Sequence, residues 1–449
     1  MSVANNAEVR AKLPTNYRWI AVILIMGCIS INYIDRVNLS VAVPTLREAL
    51  NLSPADMGIL MGAFFYAYIL VQIPAGELLN RLGAKMVMGI SCFLWGLATV
   101  ATALVTGFWS FMIVRILLGL AEGPVFPASA QVVSLWVPKR ERTLASCCFD
   151  CCARIGSAAA PPVVTWLIIT YNWQVSFVVT GVIAIIYTFI WFAVYREPDR
   201  HPKLSKEEIA YIRQDEVVNE SGKVVTTKPI PMFMLFTYKK TLLLFAGYFC
   251  YMYYWNMYIS WMPAYLVEAR GLDLKQMGVG AMIPYLCAIP CEICGGAFFD
   301  YLTRKGMDLS AVRRLGMTIC LGGGALTLFF AVQTTAPIAC VALLTLSMSI
   351  FSFGASNIWT IPNDIAPYGQ AGSVGAAYSF CGQISGIVAP GVSGFLISAG
   401  LNSGNIVAGY DHAFYVMIIV TLLGIVFFVT NKYTRLVPRN AQTYTVEHL

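Results

Sequence analysis

Apolar residues fill twelve long runs along the chain, and short polar stretches separate the runs from one another. Each run is close to the ~20 residues that an α-helix needs to cross ~30 Å of hydrocarbon. The pattern therefore predicts an all-α membrane protein with twelve transmembrane helices. The predicted spans are 19–43, 57–79, 86–106, 108–132, 144–167, 175–195, 241–267, 277–299, 312–334, 336–360, 371–398 and 412–431.

The longest polar stretch lies between the sixth and seventh spans and divides the chain into two halves. Within it, Ser205 followed by Glu208 is a capping-box pattern, which predicts a short surface helix near 205–216. We expect the rest of the stretch to be a flexible connector. The predicted parts are an N-terminal six-helix bundle at 1–195, a cytoplasmic connector at 196–240 and a C-terminal six-helix bundle at 241–449.

A weak internal repeat supports this division into pseudo-symmetric halves. The segment Gly76–Lys85 follows the second span, and Gly296–Gly306 follows the eighth, which is the equivalent place in the second half. Repeated halves related by an axis along the membrane normal are typical of one large class of transporters.

The basic residues predict the orientation in the membrane. Only 12% of the residues are charged, against about 25% in soluble proteins. With the N-terminus inside, 24 of the 30 Lys and Arg residues lie on the cytoplasmic side, so both termini are predicted to be cytoplasmic. The first apolar run carries Asp35 and Arg36 and has no small-residue cleavage site, so we expect a retained helix. The net charge of +7 then reflects topology, and no nucleic-acid partner is expected.

Thirteen cysteines raise the question of a disulfide framework or a metal site. They lie in the apolar spans, where small residues pack between helices, and we expect neither structure. The closely spaced cysteines are Cys147, Cys148, Cys151, Cys152, Cys291 and Cys294.

Charged residues inside the predicted spans of the first half include Asp35, Arg36, Arg115, Glu122 and Arg154. Arg115 and Glu122 are seven residues apart, which places them on one helical face about 10 Å apart along the axis. A charge at the bilayer centre costs at least ~2.5 kcal/mol, so such residues face a protein interior or a wet cavity. The rise per residue predicts an outer layer of Asp35, Arg36 and Arg115 and a central layer of Glu122 and Arg154.

These charges are suited to binding an anion together with a proton. Arg binds a carboxylate through two parallel hydrogen bonds. The three histidines lie outside the spans or at their edge, which leaves Asp35 and Glu122 as the proton carriers, because burial favours the neutral form of a carboxyl group. The alternative is that Asp35–Arg115 and Glu122–Arg154 are static ion pairs, but buried pairs stabilise a fold weakly compared with apolar residues.

Several segments resemble the anion:cation symporter family of the major facilitator superfamily. The loop after the second span is similar to the superfamily motif Gly-x-Leu-x-Asp-Arg-x-Gly-Arg-Lys, with Asn80 in place of the usual acid. The residues that match this inner-gate motif are Gly76, Leu78, Arg81, Gly83 and Lys85. The narrower likeness to the symporter family lies in Asn32–Ser40, Tyr66–Gly76, Arg115–Ala128 and Trp136–Arg142.

The resemblance implies roles for individual residues. The acids that match Asp35 and Glu122 couple transport to protons in the family. The arginine that matches Arg36 contacts the substrate carboxylate, the one that matches Arg115 links the substrate and proton sites, and Tyr68 matches a substrate-contacting tyrosine.

Further substrate contacts are predicted from the residues alone. Arg154 is either a second cationic contact, which would suit a dicarboxylate, or the partner of Glu122 or Asp150 in an ion pair. In the second half, hydroxyl and amide side chains in the seventh and eleventh spans are candidates for recognising sugar hydroxyls. These candidates are Tyr254, Asn256, Ser379 and Gln383.

Together these features predict a proton-coupled symporter that imports a small organic anion by rocking two six-helix halves around a central site. We expect a sugar acid such as a hexonate, hexuronate or aldarate, no cofactor besides the coupling proton, a monomer, and a location in the cell inner membrane. The alternatives are an organic-anion or organic-phosphate exchanger or uniporter of the same fold, and an importer of tartrate, phthalate or another aromatic acid. An enzyme would need a nucleophile or metal constellation, which we do not find in the sequence.

Overall fold

The computed structural model describes residues 16–138, 141–198, 201–202, 204–213, 232–358, 360–366 and 371–434. Within these ranges all regular secondary structure is helical, and eleven helical segments are long and apolar enough to cross a membrane. The protein is therefore an all-α, multi-pass membrane protein. The predicted positions of both termini concern residues 1–15 and 435–449, which lie outside the described residues.

The first half of the chain begins with a long, nearly continuous series of helices. In α2, Gly83 adopts φ 77° and ψ 161°, a conformation that glycine adopts readily and that interrupts the helix between two predicted spans. The helices are α1 Tyr17–Leu50, α2 Pro54–Thr102, α3 Phe108–Glu122, α4 Val125–Trp136, α5 Arg142–Thr170, α6 Trp173–Val194 and α7 Lys206–Arg213.

The described residues of the second half form nine α-helices and one π-helical segment, Ile319–Gly323, which joins α11 to α12 in one membrane-length segment. The helices are α8 Met232–Leu235, α9 Lys239–Glu268, α10 Leu274–Arg304, α11 Leu309–Thr318, α12 Gly324–Gln333, α13 Pro337–Ala355, α14 Ile361–Ile365, α15 Ala371–Asn402 and α16 Ile406–Thr430.

The predicted seventh span, 241–267, is present as α9 but is not one of the eleven apolar segments. Its interior is built from Tyr and Trp rings together with Asn256, and these residues lower the mean hydropathy although the rings are largely carbon. Most of the helix is buried in protein, and Trp261 Nε1 donates to the Pro390 carbonyl at 3.2 Å. The twelfth crossing therefore remains a prediction.

The chain folds into two compact units. The first comprises Met1–Asn51 and Ala63–Val225, and the second comprises Leu52–Gly62 and Thr226–Leu449. The start of α2 thus belongs with the second unit, unlike the predicted N-terminal bundle. Gly58 accounts for part of this grouping, because a side chain there would meet the Pro390 carbonyl oxygen at 2.5 Å.

A buried ionic cluster fixes α7 to the first unit. Arg18 Nε lies 3.0 Å from Glu141 Oε2, and Arg18 Nη1 lies 3.4 Å from Glu208 Oε1. Tyr211 donates from its hydroxyl to Glu141 Oε1 at 2.8 Å, and Ser205 Oγ accepts from the Glu208 backbone N–H. The helix predicted near 205–216 is confirmed over Lys206–Arg213, and the predicted flexible remainder falls largely on residues outside the described ranges.

Candidate functional site

The site in the first unit is built on one face of α1. Asn32 and Arg36 are four residues apart, so their side chains lie on the same face of this helix. Asn32 is fully buried, and Asp35 is only 3% exposed. The polar residues of α1 therefore point into protein.

Close contact between α3 and α2 brings Glu122 to this face. A Cβ atom at Gly119 would collide with the Phe64 carbonyl oxygen, so only glycine permits the observed approach of the two backbones. Helix α3 ends at Glu122, and α4 begins after Gly123 and Pro124, two residues that commonly mark a bend. The carboxylate thus lies at the interruption between two helices.

Arg36 and Glu122 form a buried ion pair. Arg36 Nε donates to Glu122 Oε2 at 2.9 Å, and the two side chains are 13% and 0% exposed. A charge-assisted hydrogen bond of this kind is about twice as strong as a neutral one, and this added strength requires that both groups are ionised. The pair joins α1 to α3, and protonation of Glu122 would weaken it.

Two guanidinium groups lie over the ring of Phe64. The Cζ atoms of Arg36 and Arg115 are 4.8 Å and 5.1 Å from the ring centroid. The rings of Tyr68 and Tyr33 also lie under Arg36, at 5.0 Å and 5.3 Å. Aromatic faces attract cations electrostatically, so the rings hold both guanidinium groups in place without adding a negative charge.

Asp35 accepts a hydrogen bond from Thr99 Oγ1 at 3.4 Å. Arg36 of the predicted outer layer pairs with Glu122 of the predicted central layer, so a side-chain contact joins the two layers. The rise along a helix axis gives the height of the backbone only. The Arg36 side chain is long enough to span the difference in height between its own backbone and the Glu122 carboxylate.

Several buried polar atoms of this site have no hydrogen-bond partner within the described part of the chain. They are Asn32 Nδ2 and Oδ1, Asp35 Oδ1, Arg36 Nη2 and Glu122 Oε1. The large majority of buried side-chain polar atoms in proteins have a hydrogen-bond partner, so a cluster of this kind is unusual. The atoms include donors and acceptors, as binding of an anion with hydroxyl groups requires.

Arg154 is buried, at 4% exposure, in α5. Nearby, Gly156 lies against the Ser30 backbone of α1, which keeps the two helices close together. The Asp150 side chain lies outside the described part of the structure, so the choice between a substrate contact and an ion pair stays open.

The inner-gate motif residues lie at the interruption of α2. Gly76 is exposed, Gly83 supplies the positive φ, and the carbonyl of Lys85 accepts from Trp191 Nε1 at 2.9 Å. Arg81 forms an exposed pair with Glu77, with an N–O distance of 2.6 Å. The gating role of this motif stays a prediction.

The candidates of the second half lie within the second unit. The Tyr254 hydroxyl is 2.7 Å from Ser347 Oγ, and Asn256 Nδ2 donates to Ser385 Oγ at 2.9 Å. Each of these groups keeps further hydrogen-bonding capacity, so contact with a substrate stays a prediction. Ser379 and Gln383 are half-buried on α15 and remain candidates.

Sequence reasoning missed three residues of the first-unit site. Phe64 lies four residues before Tyr68, on the same face of α2, and this spacing could have identified it. Asn32 lies four residues before Arg36 and is equally visible in the pattern. Thr99 gave no signal, because a lone threonine in an apolar helix is common.

Comparison with known proteins identifies the family. The model of the Major Facilitator Superfamily matches residues 25–390. The probable galactarate/D-glucarate transporter GarP of Escherichia coli strain K12 is 32% identical over 405 residues, which cover 86% of this chain and 90% of that protein. The D-galactonate transporter of Escherichia coli O6:H1 is 30% identical over 402 residues, covering 86% and 91%.

A solved structure shows the same fold. A bacterial homologue of the human lysosomal transporter Spinster, inward-facing and unoccupied, superposes with a TM-score of 0.73 at 15% identity, covering 92% of this chain and 97% of that one. The chain belongs to the major facilitator superfamily, and the resemblance seen in its motifs is confirmed. It is a transporter, as expected, and not an enzyme.

Proposed function

We propose that the protein is a proton-coupled symporter that imports a small organic anion across the cell inner membrane by alternating access. The observation that carries this proposal is the buried Arg36–Glu122 pair, in which the anion-binding group is held by a titratable one. Protonation of Glu122 removes the negative charge that holds Arg36. The guanidinium is then free to bind the carboxylate of the substrate.

Asp35 is the second proton carrier in this proposal. Its carboxyl group is buried and has one unpartnered oxygen within the described residues, so the charged form is poorly stabilised. Arg115, held over the same phenyl ring as Arg36, supplies a second positive charge to the anion. Return of the empty carrier then requires deprotonation, which reforms the ion pair.

The substrate is proposed to be a sugar acid such as a hexonate, hexuronate or aldarate. The support comes from the relatives, whose names give galactarate, D-glucarate and D-galactonate as their substrates. All of these are carboxylates with several hydroxyl groups, which suits a site that offers guanidinium groups beside unpartnered donors and acceptors.

Transport by the purified protein in liposomes tests the proposal. With an inward proton gradient, we expect accumulation of D-glucarate, D-galactonate or D-glucuronate, accompanied by alkalinisation of the external medium. An exchanger would instead move the anion without any pH change. Transport of none of these three acids would refute the proposed substrate class.

The variant Asp35→Asn tests the coupling. Because Asn cannot carry a proton, we expect loss of uphill uptake, while counterflow exchange of substrate remains measurable. Asp273→Asn is the matched control, because Asp273 caps α10 and Asn caps a helix as well as Asp. Proton-driven accumulation at the wild-type level in Asp35→Asn would contradict the scheme.

A further inference from the structure

A cavity of about 280 Å³ lies in the first unit, between the start of α1 and the end of α6. It shares no residue with the site of Arg36 and Glu122. Apolar side chains form part of its wall, and a cation and aromatic side chains form another part. A cavity of this mixed chemistry suits a ligand with one charged and one apolar end.

Arg196 supplies the cation and is held by the end of α6. Its Nη1 donates to the backbone carbonyls of Phe192 and Tyr195, at 2.6 Å and 2.8 Å. Its Nε and Nη2 form no hydrogen bond or ion pair with the described residues. These two nitrogens are the edge of a guanidinium group that binds two oxygens of a carboxylate or phosphate in parallel. The side chain is therefore positioned but keeps this edge available for an anion.

The Tyr195 hydroxyl is a second donor in the cavity wall. Tyr195 is 1% exposed, and burial raises its pKa, so the hydroxyl keeps its proton. The neighbouring indole of Trp136 can only donate, so it cannot accept this proton, and no described residue does. An oxygen of an anion bound at Arg196 is the kind of acceptor that would satisfy it.

The apolar wall of the cavity is open toward the hydrocarbon. Ile20 and Val194 line it and are 41% and 46% exposed, although both belong to membrane-length helices. Leu24 lies one turn further along α1 and continues the same wall. Tyr17, the first residue of α1, lines the cavity at the level where aromatic rings meet the lipid headgroups.

We propose that this cavity is a binding site for an anionic phospholipid, whose phosphodiester group is held by Arg196 and whose acyl chain lies along Ile20, Leu24 and Val194. The lipid comes from the leaflet in which α6 ends, on the predicted cytoplasmic side. A soluble anion would use the guanidinium group but leave the apolar wall without a partner.

The charges around Arg196 favour a lipid with a net negative charge. Lys85 interacts electrostatically with Arg196 as a like charge, and Glu197 is the neighbouring acid, which interacts with Lys85. A bound anion would relieve the repulsion between the two cations. Basic pockets between membrane helices on the cytoplasmic side bind anionic headgroups in the same way.

Native mass spectrometry of the purified full-length protein tests the proposal, with phosphatidylglycerol and phosphatidylcholine of identical acyl chains as probes. We expect the first phosphatidylglycerol molecule to bind at lower concentration than the first phosphatidylcholine. Arg196→Gln should weaken phosphatidylglycerol binding about tenfold, because charge-assisted hydrogen bonds are lost. Arg304→Gln is the matched control, since Arg304 also ends a membrane-length helix but is exposed. Its binding should equal that of the wild type.

A second variant tests the apolar part of the cavity without changing a charge. Ala193 lines the cavity and is exposed, so Ala193→Phe should fill space that the acyl chain needs and weaken binding of both lipids. Ile190→Phe is its control, because Ile190 is 45% exposed on the same helix and does not line the cavity. This variant should bind as the wild type does.

Three results would overturn the proposal. One is equal binding of the two lipids by the wild type, and another is an equal loss in Arg196→Gln and Arg304→Gln, which would mean a general attraction of anionic lipid to the surface. The third is displacement of phosphatidylglycerol by an equal concentration of glycerol 1-phosphate, which has no acyl chain. That result would mean that the site takes the free phosphate compound. Wild-type binding in Ala193→Phe would likewise exclude the cavity as the place of the acyl chain.

Discussion

Arg36 and Glu122 lie where two charges are costly to place, within membrane-length helices and almost without exposure. Taking each ion out of water costs several kcal/mol, and their attraction offsets this cost only with good geometry. The single 2.9 Å bond and the unpartnered Arg36 Nη2 and Glu122 Oε1 atoms indicate incomplete compensation within the described residues. The pair is therefore better suited to exchanging partners than to stabilising the fold.

Removing one charge of this pair is predicted to be more harmful than removing both. Glu122→Leu leaves the Arg36 guanidinium buried without its partner, and we expect the free energy of unfolding to fall by about 3–5 kcal/mol. The double variant Arg36→Met/Glu122→Leu should recover most of this loss, because apolar residues replace a buried pair at little cost. Denaturant unfolding in detergent micelles measures both.

The exposed pair of Arg81 and Glu77 is the control for that experiment. Its side chains are 74% and 62% exposed, so Glu77→Ala should change the unfolding free energy by less than about 1 kcal/mol. Equal losses at the buried and exposed pairs would contradict the argument, as would a double variant less stable than Glu122→Leu.

The sequence could predict which charges of the first half lie in the membrane but not which of them meet. Helical spacing predicts that Arg115 and Glu122 share a face, and both are buried, as are Asp35 and Arg154. Pairing depends on side-chain reach and on the contact between backbones. The number of residues along a helix gives the height of each backbone position and contains no information on either of these.

At the scale of helices, α3 is positioned by the absence of a side chain at Gly119. This residue lets the α3 backbone approach the Phe64 carbonyl of α2, and it lies one turn before Glu122. The ring of Phe64 in turn supports Arg36 and Arg115. A side chain at Gly119 should therefore increase the distance between α2 and α3 and so displace the guanidinium groups of Arg36 and Arg115.

Gly119→Val is predicted to push α3 away from α2. We expect reduced affinity for the anion, seen as at least a tenfold higher KM for uptake, because a displacement of about 1 Å in a site can cost 10²-fold. Gly391→Ala on α15 is the control, since a side chain there meets nothing within 4 Å. Its uptake should match the wild type. An unaltered KM in Gly119→Val would show that this spacing does not position the site.

Mean hydropathy does not identify α9 as a membrane-spanning helix. The apolar pattern predicted a span at 241–267, but the residues that form it are largely aromatic, and their polar tips bond inside the protein. Tyr258 donates to the Leu344 carbonyl at 3.0 Å, and Asn256 donates to Ser385. Such tertiary bonds compensate polar groups that would be costly in lipid, and no local pattern reveals them.

For the whole molecule, a crossing by α9 determines whether the number of transmembrane helices is even or odd. Eleven crossings would place the two ends of the chain on opposite sides of the membrane, whereas twelve would place both on the same side. At 1.5 Å per residue, the 30 residues of α9 extend about 45 Å, more than the ~30 Å of hydrocarbon. A crossing by α9 is also consistent with the positive-inside rule, because without it the basic residues that follow α10 and α16 would lie outside the cytoplasm.

Reporter insertion on each side of α9 tests the crossing directly. An alkaline phosphatase inserted after Val225 should be inactive, and one inserted after Gly271, in the connection between α9 and α10, should be active. This enzyme works only outside the cytoplasm, so opposite activities mean that α9 spans the membrane. A green fluorescent protein at Leu449 should then be fluorescent, as expected for a cytoplasmic C-terminus. Equal phosphatase activity at the two insertion points would mean eleven crossings, and the inward excess of Lys and Arg would no longer hold for the second half.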